Sequence, residues 1–165
     1  MNWPTEKELK SFYGNPDTNG DGSPDLAWES ANIVGIKPAY AMVLAWDTAR
    51  VVSRIRCHKL VAGSLAEILG EIGELGTDFI KKHELNHFGG AYNFRAKRGS
   101  PSLSVHSYGA AIDLSPAKNA WKKKWDPKTM MPVEVVEIFA AHGWVFGGTW
   151  STADAMHFQA TGASK

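Results

Sequence analysis

Residues 104–113 read S-V-H-S-Y-G-A-A-I-D, and residues 154–157 read D-A-M-H. The two stretches carry two histidines, His106 and His157, and Asp113 within an apolar run. Two imidazoles and a carboxylate make three protein ligands for zinc and leave the fourth tetrahedral position open for water. A carboxylate within A-A-I-D-L is costly to bury unless it is paired or metal-bound. Gly109, Ala110 and Ala111 are small enough to let backbone segments approach, and Gly109 can take a turn conformation closed to other residues. If 155–159 is a strand, Met156 and Phe158 face one side and His157 and Gln159 the other. Asp154 then falls just before the strand, where a general base for the water is expected. The pattern points to metal-assisted hydrolysis.

Composition agrees with a small enzyme. A chain of 165 residues fits one domain with a real core. The whole chain is expected to be one α+β domain, with its core at about 30–160 and no separate binding domain. With a net charge of +1, nothing draws it strongly to nucleic acid or an anionic membrane. Cys57 is the only cysteine, which excludes an intrachain disulfide and a thiolate zinc cage. The start lacks a basic region followed by an apolar run, and no stretch approaches the ~20 apolar residues of a membrane span. Synthesis in the cytoplasm, no stable membrane association and a monomeric state are the expectations.

Along the chain, Thr5 and Glu8 have capping-box spacing and open a short helix ending near Gly14. Residues 32–36 and 41–46 are apolar and β-prone, fitting strands or a short helix, and 51–57 reads as a strand. Val61, Leu65, Ile68, Leu69 and Ile72 share one helical face, which predicts a helix over 60–75. Strands are expected at 88–94, 110–114, 144–147 and 155–159, and Pro132 opens a helix running to about His142. Residues 161–165 read as a loose tail. Helices and strands alternate without a βαβ rhythm, so the expected fold is α+β: a central, mainly antiparallel sheet flanked by helices, with the zinc site on the sheet.

Other motifs compete. Residues 83–87 read H-E-L-N-H, the helical zinc-protease pattern with Glu84 as base. It requires one uninterrupted helix, whereas Phe88, Gly89 and Gly90 follow at once, and Asn93 stands where the extended form has a third histidine. Glu134 remains open as a downstream ligand. Asp17, Asn19, Asp21 and Asp25 match the first half of a calcium loop, but its twelfth position is Trp28 and Glu29 comes one residue late. An Asx- and Gly-rich turn accounts for that loop equally well, and calcium is the weaker expectation. Trp121 and Trp125, with lysines between them, fit either a groove for glycan or peptide or a partly buried loop.

The paired segments resemble the zinc peptidases of bacterial cell-wall metabolism, the VanY-type D-alanyl-D-alanine carboxypeptidases and the phage L-alanyl-D-glutamate endopeptidases. Their signature, S-x-H-x-x-G-x-A-x-D followed by [DE]-x-x-H, is met in both halves. Tyr92 to Arg95 resembles the arginine-bearing strand before the first motif, and G-W-V-F-G-G-T-W the run before the last histidine. F-Y-G-N-P and W-E near the start resemble phage members. The resemblance covers about residues 50–160. It implies one catalytic zinc on His106, Asp113 and His157, Asp154 as base, and an arginine that holds substrate or stabilises the transition state. Arg95 matches that arginine best, with Arg98 as the alternative. Arg98, Ser104, Trp150 and Gln159 are further residues expected at the substrate.

The implied substrate is the peptidoglycan stem peptide, cut between L-Ala and D-Glu by a phage or prophage endolysin that reaches the wall through a holin. A D-alanyl-D-alanine carboxypeptidase and a non-catalytic zinc-containing wall-binding module are the alternatives. On this assignment, replacing His83 and His87 together leaves zinc content and activity largely intact. Loss of both in a folded double variant would move the site to H-E-L-N-H.

Overall fold

The computed structural model describes residues 2–162. Near the start, Glu8 reaches back so that its carboxylate accepts from the Thr5 N–H at 2.9 Å. A 3-10 turn (Glu6–Glu8) runs from there into α1 (Leu9–Tyr13). The succeeding elements are α2 (Leu26–Asn32), β1 (Ile33–Ile36), β2 (Val43–Leu44), β3 (Asp47–Val51) and β4 (Ile55–His58). Then come α3 (Ala62–Glu74), α4 (Thr77–Lys82), β5 (His87–Gly90), β6 (Ala111–Leu114), α5 (Val133–Ala141), β7 (Val145–Phe146) and β8 (His157–Gln159). A second 3-10 turn (Val105–Tyr108) precedes β6.

Six strands form one sheet in the order β3-β2-β5-β6-β8-β7. Only β2 and β5 run parallel, while β1 and β4 make a separate antiparallel pair. The α+β architecture with a mainly antiparallel sheet is therefore as expected. The apolar face of α3 buries Leu65, Ile68, Leu69 and Ile72 completely, as its spacing predicts. Phe139 of α5 stacks on Phe158 of β8 with ring centroids 3.8 Å apart, and Phe146 of β7 stacks on the same ring. On β6 and β8, Ile112 pairs with Phe158 in the core while Asp113 pairs with His157. Because side chains alternate across a strand, that register places both candidate ligands together on the opposite face.

Several boundaries differ from the sequence expectations. The strand expected over 51–57 is two elements, with β3 fully exposed at the sheet edge and β4 paired elsewhere. The strand expected over 88–94 ends at Gly90, whose φ of 131° turns the chain away. Helices α2 and α4, too short for a periodic signal, were not expected. Thr161, assigned to a loose tail, is buried, and the Gly162 N–H donates to the Pro4 carbonyl at 2.8 Å; residues 163–165 lie outside the described residues. H-E-L-N-H is not helical: α4 stops at Lys82, Glu84 adopts φ 52°, and His87 opens β5.

Gly109 ties the first ligand motif to β4. Its φ is 68°, and a Cβ there would lie 2.7 Å from the His58 nitrogen. The His58 N–H donates to the Gly109 carbonyl at 2.8 Å, so the backbone cannot retreat without losing that bond. A left-handed residue with a side chain costs roughly 1–2 kcal/mol before any clash. Gly109→Ala should therefore lower stability by at least about 2 kcal/mol in denaturant unfolding.

Candidate metal centre

His106 sits in the buried 3-10 turn. The Ser104 side chain caps that turn by accepting from the His106 N–H at 3.3 Å. The His106 Nδ1 lies 2.6 Å from the Ala91 carbonyl. A carbonyl only accepts, so Nδ1 carries the proton and Nε2 presents its lone pair. The His157 Nε2 lies 2.9 Å from the Gln159 Oε1. Donation from the Gln159 Nε2 to the Thr161 hydroxyl at 2.7 Å and the Glu6 carboxylate at 3.3 Å orients that amide. His157 Nε2 is then the donor, and its Nδ1 lone pair faces the site.

Three electron-pair donors thus converge. His106 Nε2 and His157 Nδ1 are 3.1 Å apart, His157 Nδ1 and Asp113 Oδ1 3.0 Å, and His106 Nε2 and Asp113 Oδ1 3.3 Å. Ligands about 2.0–2.1 Å from a tetrahedral ion are separated by about 3.3–3.4 Å, so the triangle has the edge length of one face of a zinc site. Three lone pairs this close repel unless a cation lies among them. Among the described residues, this is the one group of three or more histidine, cysteine or acidic side chains drawn close enough to hold a metal.

The electrostatics show the same demand. Burial would raise Asp113, yet the hydrogen bonds and charges of the two imidazoles hold it far below the usual carboxylate range. Burial would lower His157, but the hydrogen bond and charge of Asp113, helped by Gln159 and Asp154, raise it.

Asp154 lies beside the triangle in another environment. Burial raises its pKa, and the Asp113 charge adds to that, against the opposing charges of His157 and Arg98. Its Oδ1 is buried without a hydrogen-bond partner, an exception that calls for a missing water or ligand. The backbone holds the residue firmly. The Asp154 N–H donates to the Gly147 carbonyl at 2.9 Å, and the His157 N–H donates to the Asp154 carbonyl at 3.1 Å. A Cβ on Gly147 would lie 2.6 Å from the Asp154 carbonyl oxygen, so only glycine admits this approach.

Asp113, His157 and Asp154 open into a cleft of about 560 Å³ lined also by Arg95, Arg98, Trp121, Lys122 and Trp150 among others. Both candidate arginines reach it. The Ser107 hydroxyl pins the Arg95 backbone, while the Arg98 guanidinium lies 4.3 Å over the Trp121 ring. Trp150 stands 5.4 Å from the His157 ring. Trp125 packs against Phe146 and, partly buried, lines a groove that adjoins the cleft. Ser104 and Gln159, the other residues expected at the substrate, also line the cleft, and each has partners within the protein. Ser104 is buried as the cap of the His106 turn, and the amide of Gln159 is taken up by His157, Thr161 and Glu6. Glu6 and Lys97, distant in sequence and in no motif, also line the cleft.

The 17–25 loop is held by its own backbone. Asp17 accepts from the N–H groups of Gly20, Asp21 and Gly22, Asn19 and Asp21 bond each other, and Asp25 receives the Thr18 N–H and hydroxyl. These are Asx-turn contacts, and the loop's aspartates do not form a close group of three or more histidine, cysteine or acidic side chains among the described residues.

Residues 98–160 match the model of a peptidase M15 family described as D-alanyl-D-alanine carboxypeptidase. The VanY-type resemblance holds over this stretch, which contains all three metal donors, Asp154 and Arg98; Glu6, Arg95 and Lys97 precede it. The match supports, in broad terms, a zinc-dependent peptidase acting on peptidoglycan. Comparisons with curated proteins and with solved structures gave no match.

Because the proton raised onto His157 competes with the metal, zinc binding should release a proton. Affinity should begin to fall above the ordinary histidine value of about 6.5 as pH is lowered. Calorimetry in buffers of different ionisation enthalpy measures that release; a pH-independent affinity would contradict the donor assignment.

Proposed function

We propose that this protein is a zinc peptidase that hydrolyses a peptide bond in the peptidoglycan stem peptide, with His106, Asp113 and His157 as the metal ligands. The observation that carries this reading is the triangle of three lone pairs with the unpartnered Asp154 oxygen beside it. Zinc bound there supplies Lewis-acid polarisation of the scissile carbonyl and lowers the pKa of water from ~15.7 toward ~7.

The chain's own groups divide the remaining tasks. Asp154, with its pKa raised by burial, accepts a proton from the attacking water and returns it to the leaving amine. Arg95 and Arg98 offer cations for a substrate carboxylate or the developing oxyanion. Trp121 and Trp150 supply apolar walls that orient the peptide.

The bond we assign is that between L-Ala and D-Glu, cut by an endolysin released to the wall through a holin. The phage-like F-Y-G-N-P segment supports this. So does the form of the cleft, which shares Lys122, Thr152 and Trp150 with an adjoining groove of about 640 Å³. An endopeptidase needs room for chain on both sides of the scissile bond. A D,D-carboxypeptidase is the second reading, favoured by the description of the matched family.

Asp154→Ala should keep the fold and zinc while losing about 10²–10⁴ in turnover. Full turnover in that variant would remove Asp154 from the role of base. Mass spectrometry of fragments from purified peptidoglycan separates the bonds. New D-Glu amines mark the endopeptidase and released D-Ala the carboxypeptidase, while intact wall despite bound zinc marks a binding module.

A further inference from the structure

The N-terminal turn enters the site through a relay. The Lys97 ammonium lies 2.6 Å from the Glu6 Oε2, and the Glu6 Oε1 receives the Gln159 Nε2 at 3.3 Å. The Gln159 Oε1 in turn accepts from the His157 Nε2. Of the two groups that touch the Gln159 amide nitrogen, only one has a fixed polarity. The Thr161 hydroxyl can donate or accept and would serve the amide in either orientation. An ionised carboxylate only accepts, and Lys97 and Gln159 both hold Glu6 in that form, against its burial.

The orientation matters because it selects a tautomer. With the Gln159 Oε1 toward His157, the imidazole proton stays on Nε2 and the Nδ1 lone pair points at Asp113 and His106. With the amide reversed, its N–H would face Nε2 and demand a lone pair there. The imidazole proton would then move to Nδ1, into the triangle where the cation belongs. Metal-bound histidines are commonly fixed through their other ring nitrogen, and such partners affect metal affinity about 10–100-fold.

We propose that Glu6 is a positioning residue for the metal centre: anchored by Lys97, it locks the Gln159 amide and thereby the metal-binding tautomer of His157. This rests on His157 being a metal ligand, as proposed above. The turn that carries Glu6 lies far from the ligand motifs in sequence. Its docking is supported by the Trp3 indole donating to the His142 carbonyl at 2.9 Å and by the Gly162 bond to Pro4.

The test is zinc affinity of the full chain by chelator competition at fixed pH, with the thermal transition of the metal-free protein recorded alongside. Glu6→Ala should weaken zinc about tenfold, the lower end expected for a group one step beyond the direct partner. In a Gln159→Glu background the side chain accepts from His157 without an amide to orient. Adding Glu6→Ala there should leave affinity unchanged or raise it by relieving carboxylate repulsion. Nitrogen-15 shifts of His157 in the metal-free protein at high pH should show the Nε2–H form in wild type and a mixture in Glu6→Ala.

Unchanged zinc affinity in a folded Glu6→Ala protein would overturn the proposal. The same loss in both backgrounds would also overturn it, since that is the mark of a purely structural role. If Glu6→Ala does not fold, Lys97→Met, which frees the carboxylate without removing it, should produce a smaller loss in the same direction, and no loss there counts against the relay. Absence of zinc binding in wild type would instead refute the metal-site assignment, and the relay with it.

Discussion

The structure depends on three lone pairs held within about one ligand spacing of each other. His106 Nε2, His157 Nδ1 and Asp113 Oδ1 form a triangle with edges of 3.0–3.3 Å. Such a cluster is repulsive in a low-dielectric interior unless a proton or metal ion lies within it. Each donor is held by a different device. A capped turn fixes His106, the β6–β8 register sets Asp113 against His157, and a glutamine side chain selects the tautomer of His157. The surrounding fold supplies the rigidity that these devices require.

That rigidity comes from the opposite face of the same strands. Ile112 and Phe158 are wholly buried one residue from the ligands, and the Phe139–Phe158–Phe146 stack clamps β8 to α5 and β7. A shift of register by one residue would carry the ligands into the core and the aromatic ring into the cleft. The hydrophobic core therefore specifies the candidate metal site as directly as the three donors do. Gly109 adds a second constraint, because backbone from β4 packs where its side chain would be.

The site separates two aspartates by environment. Asp113, between two imidazoles, is held as a strong anion, whereas Asp154, desolvated and with one oxygen unpartnered, is pushed upward. Divergent pKa values in neighbouring carboxylates are how a site assigns one group to binding charge and the other to moving protons. Two tryptophans and two arginines line the cleft beside this pair.

Much of this was legible in the chain. The spacing in S-V-H-S-Y-G-A-A-I-D and D-A-M-H named the donors and Asp154, because strand alternation and small neighbours are local properties. The face of α3 was readable for the same reason. H-E-L-N-H shows the limit of a motif without context, since Glu84 in a left-handed conformation and His87 on a strand prevent the helix that the pattern needs. Short α2 and α4, the break between β3 and β4, and the buried Thr161 depend on contacts with distant segments. So do the tautomers of both histidines, the hydrogen-bond partners of Gln159 and Ser104, and the entry of Glu6 and Lys97 into the cleft. The sequence by itself determined which atoms could bind a metal, through residue type and local period. Only the tertiary structure decided their protonation and their partners, because those are set by long-range hydrogen bonds, such as Ala91 to His106 and Glu6 to Gln159, that no local pattern encodes.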